Sequence, residues 1–272
     1  MVVVVFLVVM AGYFLTPLWW LFVASTKPQG DLYTGAVLWF SHFQLAENVG
    51  SLFSRDGGIF VRWLVNSLAY SGVSALVGTI VAAMAGYSLA KFRYPGRGLI
   101  FGIILGGVLV PATALALPIF LLFAQVGLTN SVLAVVLPNI VNPFGVYLAR
   151  VYADAAIPDE IVEAARLDGA GELRAFFSIS SRMMTPALVT IFLFQFVGVW
   201  NNYLLPLLMF HDRDLFPVTL GLTLWNSQVV YDGSLGVLTI VGSFVSILPL
   251  VVLFLALQRY WRSGLTLGGV TG

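Results

Sequence analysis

The chain reads as an all-α integral membrane protein with six transmembrane helices, and three observations carry that reading. Apolar side chains make up 60% of the 272 residues and charged ones 9%, where a soluble domain averages about 25% charged. Apolar runs near the ~20 residues needed to cross the hydrocarbon core recur along the chain, separated by short polar segments. No Asp, Glu, Lys or Arg falls inside any of those runs.

The spans are expected at about 2–25, 63–90, 99–117, 131–149, 186–210 and 234–257. The first opens on Met1-Val2-Val3-Val4-Val5 and ends at Lys27-Pro28. It is too long for a cleaved signal peptide and lacks the basic leader of one. Its abrupt start suggests that a short natural N-terminus is missing or that translation begins close to the membrane. Residues 29–62 read as a mixed loop whose Trp39 and Phe40 suit a membrane surface. The second span carries Ser67, Gly72, Ser74, Gly78, Ala82, Ala83 and Gly86, small residues that let helices approach closely. Lys91 to Arg97 closes it with a Pro-Gly turn signal. The third span is expected to stop before Pro118, with Gln125 in the connector to Thr129-Asn130. Pro138-Asn139 and Asn142-Pro143 interrupt the fourth, and such breaks persist at membrane depth only where protein or a wet cavity receives the freed backbone groups. The fifth contains Gln195, Trp200, Asn201 and Asn202, and a loop over 211–233 leads to the last.

Six spans put both termini on one side. The loops on that side hold Lys91, Arg93, Arg97, Arg150, Arg166, Arg174, Arg182, Arg259 and Arg262, against Lys27, Arg55, Arg62 and Arg213 opposite. The excess of Lys and Arg assigns the richer side, and with it both termini, to the cytoplasm. Membrane lipid is thus one partner. A net charge of +1 argues against nucleic acid, the absence of cysteine excludes thiolate metal sites, and the two histidines, His42 and His211, lie far apart in expected loops and give no sign of a metal site.

Within the basic side, residues 157–180 form a polar island. Asp154, Asp159, Glu160, Glu163, Asp168 and Glu172 all lie between Arg150 and Arg182. Pro158 suits the first turn of a helix, Asp159 and Glu160 suit its positive end, and Gly169 suits its stop. Ile161, Ala164, Ala165 and Leu167 are expected to form a small apolar face. A second short helix is expected through Leu173, Phe176, Phe177 and Ile179. Such a knob can enter a cleft on another protein.

The spacing Glu163-Ala164-Ala165, three residues, Gly169, nine residues, Ile179 resembles the EAA loop of permease subunits in binding-protein-dependent ABC importers. The resemblance continues through Ile157-Pro158, Asp168-Gly169-Ala170, Phe176 and Pro186. It extends to Asn66-Ser67, Phe92 to Arg97, Gly127 to Ser131, Trp200 to Leu204, and the end of the chain, which is similar to the tail of maltose-type sugar permeases. It implies a type I permease fold in a bacterial or archaeal inner membrane, with a cytoplasmic coupling-helix pair that seats on an ATPase through Glu163, Ala164, Ala165, Asp168, Gly169, Ala170 and Phe176. It also implies a tail over 259–272 whose Gly264, Leu265, Thr266, Gly268 and Gly269 reach between the ATPase subunits. The implied partners are two ATP-binding subunits, a second, distinct permease and an extracytoplasmic solute-binding protein. No cofactor would belong to this chain, since ATP and magnesium would sit in the partner ATPase; no Gly-x-x-x-x-Gly-Lys-Ser/Thr phosphate loop occurs here. Two positions depart from the family pattern. Ser181-Arg182 replaces the usual Leu-Pro, which predicts a less sharply bent exit from the helix pair, and Thr271 replaces a Lys.

With no charge in the spans, contacts to a neutral, hydroxyl-rich solute would fall to Asn66, Asn139, Asn142, Gln195, Asn201 and Asn202, with Trp200 and Tyr203 as stacking faces. The same residues also suit bridges between helices. A glycerol phosphodiester or polyol importer shares these loops, and a stand-alone carrier or channel is the reading from another class. No nucleophile and base set indicates an enzyme.

Overall fold

The computed structural model describes residues 1–32 and 36–265, with side chains to residue 260, and no strand occurs among them. The helices are α1 (Val2–Ser25), α2 (Leu45–Ser54), α3 (Ile59–Lys91), α4 (Arg97–Val108), α5 (Ala112–Gln125), α6 (Val132–Ile140), α7 (Pro143–Ala156), α8 (Asp159–Leu167), α9 (Glu172–Ala175), α10 (Ser181–Met183), α11 (Thr185–Trp200), α12 (Leu204–Met209), α13 (Val218–Gln228) and α14 (Ser234–Leu265). A π-helical turn, Phe176–Ser180, joins α9 to α10. By length and composition α1, α3, the run 132–156 and α14 can each cross a membrane. Two bent pairs, α4 with α5 and Glu172–Met183 with α11, bring the number to as many as 6.

The chain divides into two compact units, one of Met1–Asn66 with Phe216–Val251, the other of Ser67–Leu215 with the chain from Val252 onward. In the first unit, the indole of Trp63 on α3 lies 4.8 Å from that of Trp225 on α13, and Gly221 gives it room, since an added Cβ there would collide with the Trp63 ring. Gly242 on α14 admits Leu222, Phe60 and Leu52 in the same way. The C-terminal carbonyls of α1 find donors across the loop: the Asn48 amide donates to Ser25 O and Lys27 O, each at 3.0 Å. Lys27 is buried and its ammonium donates to Ala36 O at 2.8 Å. Segments expected as loops therefore contain α2 and α13. Leu52 in the first and Val218, Leu222 and Trp225 in the second are buried at helical spacing, a signal their polar neighbours mask in the sequence.

The second unit is built on the small-residue face of α3. Ala82, Ala83 and Tyr87 pack with Val146, Ala149 and Ala153 of α7, Val162 of α8, Phe176, Met184 and Ile191 of α11. Gly86 marks a close approach of α3 to α7, where an added Cβ would lie 2.6 Å from Ala149 Cβ and 2.8 Å from Val146 O.

The third apolar run differs from its expected form. The chain bends by 100° at Leu109–Pro111, and α5 then carries Pro118 in its interior and ends at Gln125. The missing N–H of a proline is harmless in the first turn, and the residue before it is steered out of the helical region; Pro111, at the cap of α5, is thus the breaker. The exit from the 157–180 segment is bent as well. It turns by 85° at Met184. Pro186 explains this bend: it cannot bond to Arg182 O, and the Thr185 hydroxyl donates to that carbonyl instead, at 2.8 Å.

Gly86→Ala should lower the thermal unfolding midpoint of the purified protein in detergent, with an overpacking cost of about 1–3 kcal/mol. Gly72→Ala, where an added methyl meets nothing within 4 Å, should hold or raise the midpoint, because alanine is the better helix former.

Candidate functional site

The segment 157–180 folds as two short helices across a glycine turn. Asp159 and Glu160 occupy the first turn of α8. The helix closes in a Schellman arrangement, with Ala170 N donating to Ala165 O at 2.9 Å and Gly169 N to Arg166 O at 3.0 Å. That arrangement requires a left-handed residue, and Gly169 supplies it at φ 77°. The glycine and the residues around it thus have a backbone reason for their identity.

The pair has an inner and an outer side. Val162, Ala165, Ala175, Phe176 and Ser180 are buried, and the Phe176 ring lies 5.2 Å from that of Tyr87 on α3. The apolar face expected through Ile161, Ala164, Ala165 and Leu167 is corrected accordingly. Only Ala165 of those four points inward, joined by Val162, because helical spacing places 162 and 165 on the face that meets the core. Phe176, grouped in the sequence with residues offered to a partner, is 4% exposed and holds the pair to the core instead. Outward stand Leu167 at 89% exposure, Leu173 at 63%, Phe177 at 52% and Ile161 at 36%. Glu163, Ala164, Asp168 and Gly169 are exposed beside them, and Ala170 is half-buried.

Ion pairs fix this knob. Lys91 Nζ donates to Asp159 Oδ1 at 2.7 Å, with 5% of the lysine side chain exposed. Arg166 grips Glu172 with two bonds, at 2.8 and 3.3 Å, across the glycine turn. A depression of about 450 Å³ lies between the end of α3 and α8, lined by Lys91, Phe92, Arg93, Asp159, Val162, Glu163 and Arg166. The Lys91 hydrogen bond, helped by the charges of Lys91 and Arg93, holds the Asp159 carboxyl below the ordinary aspartate range. The Glu172 hydrogen bond pushes the Arg166 guanidinium up.

A second polar cluster sits where α6 gives way to α7. The Gln195 amide of α11 donates to Asn139 O at 2.6 Å and Ser74 O at 3.0 Å, and accepts from Asn142 Nδ2 at 3.1 Å. Asn142 caps α7 by accepting from Gly145 N at 2.8 Å, and Asn139 donates to Val135 O at 2.7 Å. The structure therefore brings Asn139, Asn142 and Gln195 together as a bracket between helices, and Gly78 makes room for the Gln195 head. The other pathway candidates make separate contacts. Asn66 donates to Phe216 O at 3.0 Å. Trp200 is buried and stacks on Phe196 at 5.8 Å, so it offers no open face. Asn201 is exposed and bonds Val197 O at 3.0 Å, while Asn202 accepts from Leu205 N at 3.4 Å. Gly264 and Leu265 fall in the last turn of α14, and Thr266, Gly268 and Gly269 lie outside the described residues.

Sequence reasoning missed Tyr87, Lys91 and Val162. Tyr87 and Lys91 stand four residues apart at the end of a span, a spacing that puts both on one helix face, and that was the available signal.

The chain is similar to known proteins in sequence and in fold. The family model for the inner membrane component of binding-protein-dependent transport systems matches residues 59–266. The arabinooligosaccharides transport system permease protein AraQ of Halalkalibacterium halodurans is 35% identical over 94% of this chain and 91% of its own length. The lactose transport system permease protein LacG of Rhizobium radiobacter is 32% identical over 93% and 90%. A chain from a crystal structure of a bacterial ABC transporter involved in the import of the acidic polysaccharide alginate shares the fold. It matches with a TM-score of 0.82 over 96% of this chain and 95% of that one, at 24% identity.

The lowered Asp159 value fixes the sign of a pH effect. The pair contributes in full above the ordinary carboxylate range and is lost as pH falls through the depressed value. Isotope-edited infrared titration in lipid nanodiscs should place the Asp159 midpoint below that of free aspartate, and Lys91→Met should move it up. In the bracket, Gln195→Leu removes the donor to two carbonyls and should destabilise by about 1–3 kcal/mol for each carbonyl stranded, read as a lower unfolding midpoint in detergent.

Proposed function

The chain belongs to the family of binding-protein-dependent transport system inner membrane components, and from that premise we propose that it is the permease subunit of an ATP-driven carbohydrate importer, forming half of the translocation pathway. Its fold is that of a type I ABC importer permease. The observation that carries the coupling role is the outer side of the helix pair: Ile161, Leu167, Leu173 and Phe177 stand exposed amid Glu163, Arg166, Asp168 and Arg174. An apolar patch rimmed by charge fits a protein partner. That partner is a cytoplasmic ATPase subunit. Two such subunits bind ATP and magnesium, and their closure drives this permease and a second, distinct one between inward and outward access. The excess of Lys and Arg on the helix-pair side supports a cytoplasmic location for the pair and both termini. A solute-binding protein rests on the opposite loops and makes the first selection of solute.

The chain's own part is to bind, pass and couple. A neutral sugar suits spans with no Asp, Glu, Lys or Arg between residues 99 and 149 or between 186 and 210, since an anion would call for a basic group on its path. The curated relatives named for arabinooligosaccharides and lactose support the same substrate class.

The test is reconstitution with the natural partners. Solute-loaded binding protein should stimulate ATP hydrolysis, and this chain alone should transport nothing. Glu163→Arg combined with Gly169→Asp should abolish assembly or stimulation; if both survive, the docking reading is wrong.

A further inference from the structure

The last turn of α3 touches both short helices at once, and we propose that Tyr87 and Lys91 form a two-point grip that makes the helix pair move with α3. This rests on the reading of the pair as an ATPase seat and assigns positioning residues behind it. The two side chains are four residues apart and share a helix face. Tyr87, 3% exposed, packs its ring 5.2 Å from Phe176 in the second short element and 5.8 Å from Phe92. Lys91, with 5% of its side chain exposed, reaches Asp159 at the start of the first. One contact would be a pivot, about which the pair could tilt as the ATPase pushes on it. Contacts on both sides of the glycine turn, with Val162 buried in the same core as Tyr87 and Phe176, remove that freedom, and the bidentate Arg166–Glu172 pair fixes the helices to each other.

The two ends of the ionic contact differ. Asp159 is 64% exposed on its side chain, so water can solvate it when Lys91 is removed; the ammonium of Lys91 has no such recourse when the carboxylate is removed. Asp159→Asn should therefore do more harm than Lys91→Met. At Tyr87 the ring makes the contact: its buried hydroxyl has no hydrogen-bond partner among the described residues. Tyr87→Phe should keep the grip and Tyr87→Ala should break it.

The experiment uses the whole importer in nanodiscs, reading co-purification of the ATPase subunits and the stimulation of hydrolysis by loaded binding protein. Lys91→Met and Tyr87→Ala should retain the ATPase subunits while stimulation falls by about tenfold, within the range of coupling energies between sites, and Asp159→Asn should retain them while stimulation falls further. The charge-swapped pair Lys91→Glu with Asp159→Lys should recover most of the loss, and Tyr87→Phe should match the unaltered protein. Full stimulation in the single variants, or a swap no better than they are, overturns the grip. So does loss of the ATPase subunits from the variants, which would make these residues part of the seat. Failure of the unaltered chain to bind an ATPase at all would sink the seat reading, and the grip with it.

Discussion

Backbone groups released by a broken helix cannot turn to water inside a bilayer, and the second unit of this fold depends on how they are satisfied. Its apolar runs are interrupted at Pro111, at Asn142-Pro143, at Pro186 and at Asn201–Tyr203. At three of these breaks a short polar side chain close to the break serves the backbone. Asn142 caps α7, Thr185 takes over Arg182 O, and Asn202 accepts from Leu205 N. Where a side chain on the broken helix itself does not suffice, a neighbour supplies the bond, as Gln195 does for Asn139 O. Without these partners the bends would leave polar groups stranded, at a cost comparable to the stability margin of a domain.

The same requirement shapes the helix pair, though there water is available. Its backbone is closed by Gly169 and Ala170, which leaves the side chains free for two tasks on opposite faces. Inward, Val162, Ala165 and Phe176 continue the core of α3, α7 and α11. Outward, large apolar groups stand exposed beside acids and arginines. Lipid would favour such groups without the rim of charge, and water would favour the charge without the groups. A protein partner accommodates both.

How much of this the sequence discloses depends on the range of the interaction. The spans are visible because composition alone marks them. The two short helices are visible because Gly169 and the acidic first turn act locally. Which face of α8 turns inward was not visible, since Ile161 and Val162 are alike in hydropathy and only the position of α7 and Tyr87 separates them. Pro111 and Pro118 are alike as letters too. One breaks the helix and the other lies within it, because the effect of a proline depends on where the helix starts. The helix α13 was hidden for another reason: its buried residues meet Trp63, some 160 positions earlier, a contact to which no local window responds.

The bracket also bears on how the solute is held. Amides read from the sequence as pathway groups turn out to have duties in the fold, for Asn139, Asn142 and Gln195 bond one another and the backbone. A sugar hydroxyl could recruit them only by leaving a buried carbonyl without a donor, which costs about 1–3 kcal/mol for each group stranded. Asn201 is under no such constraint, being exposed and bonded only along its own helix among the described residues. Groups of that kind can exchange one weak bond for another, as a passing solute requires. On the function proposed above, tight capture belongs to the binding protein. A permease whose strongest amides stabilise its breaks and whose exposed ones hold little is suited to releasing what it is handed.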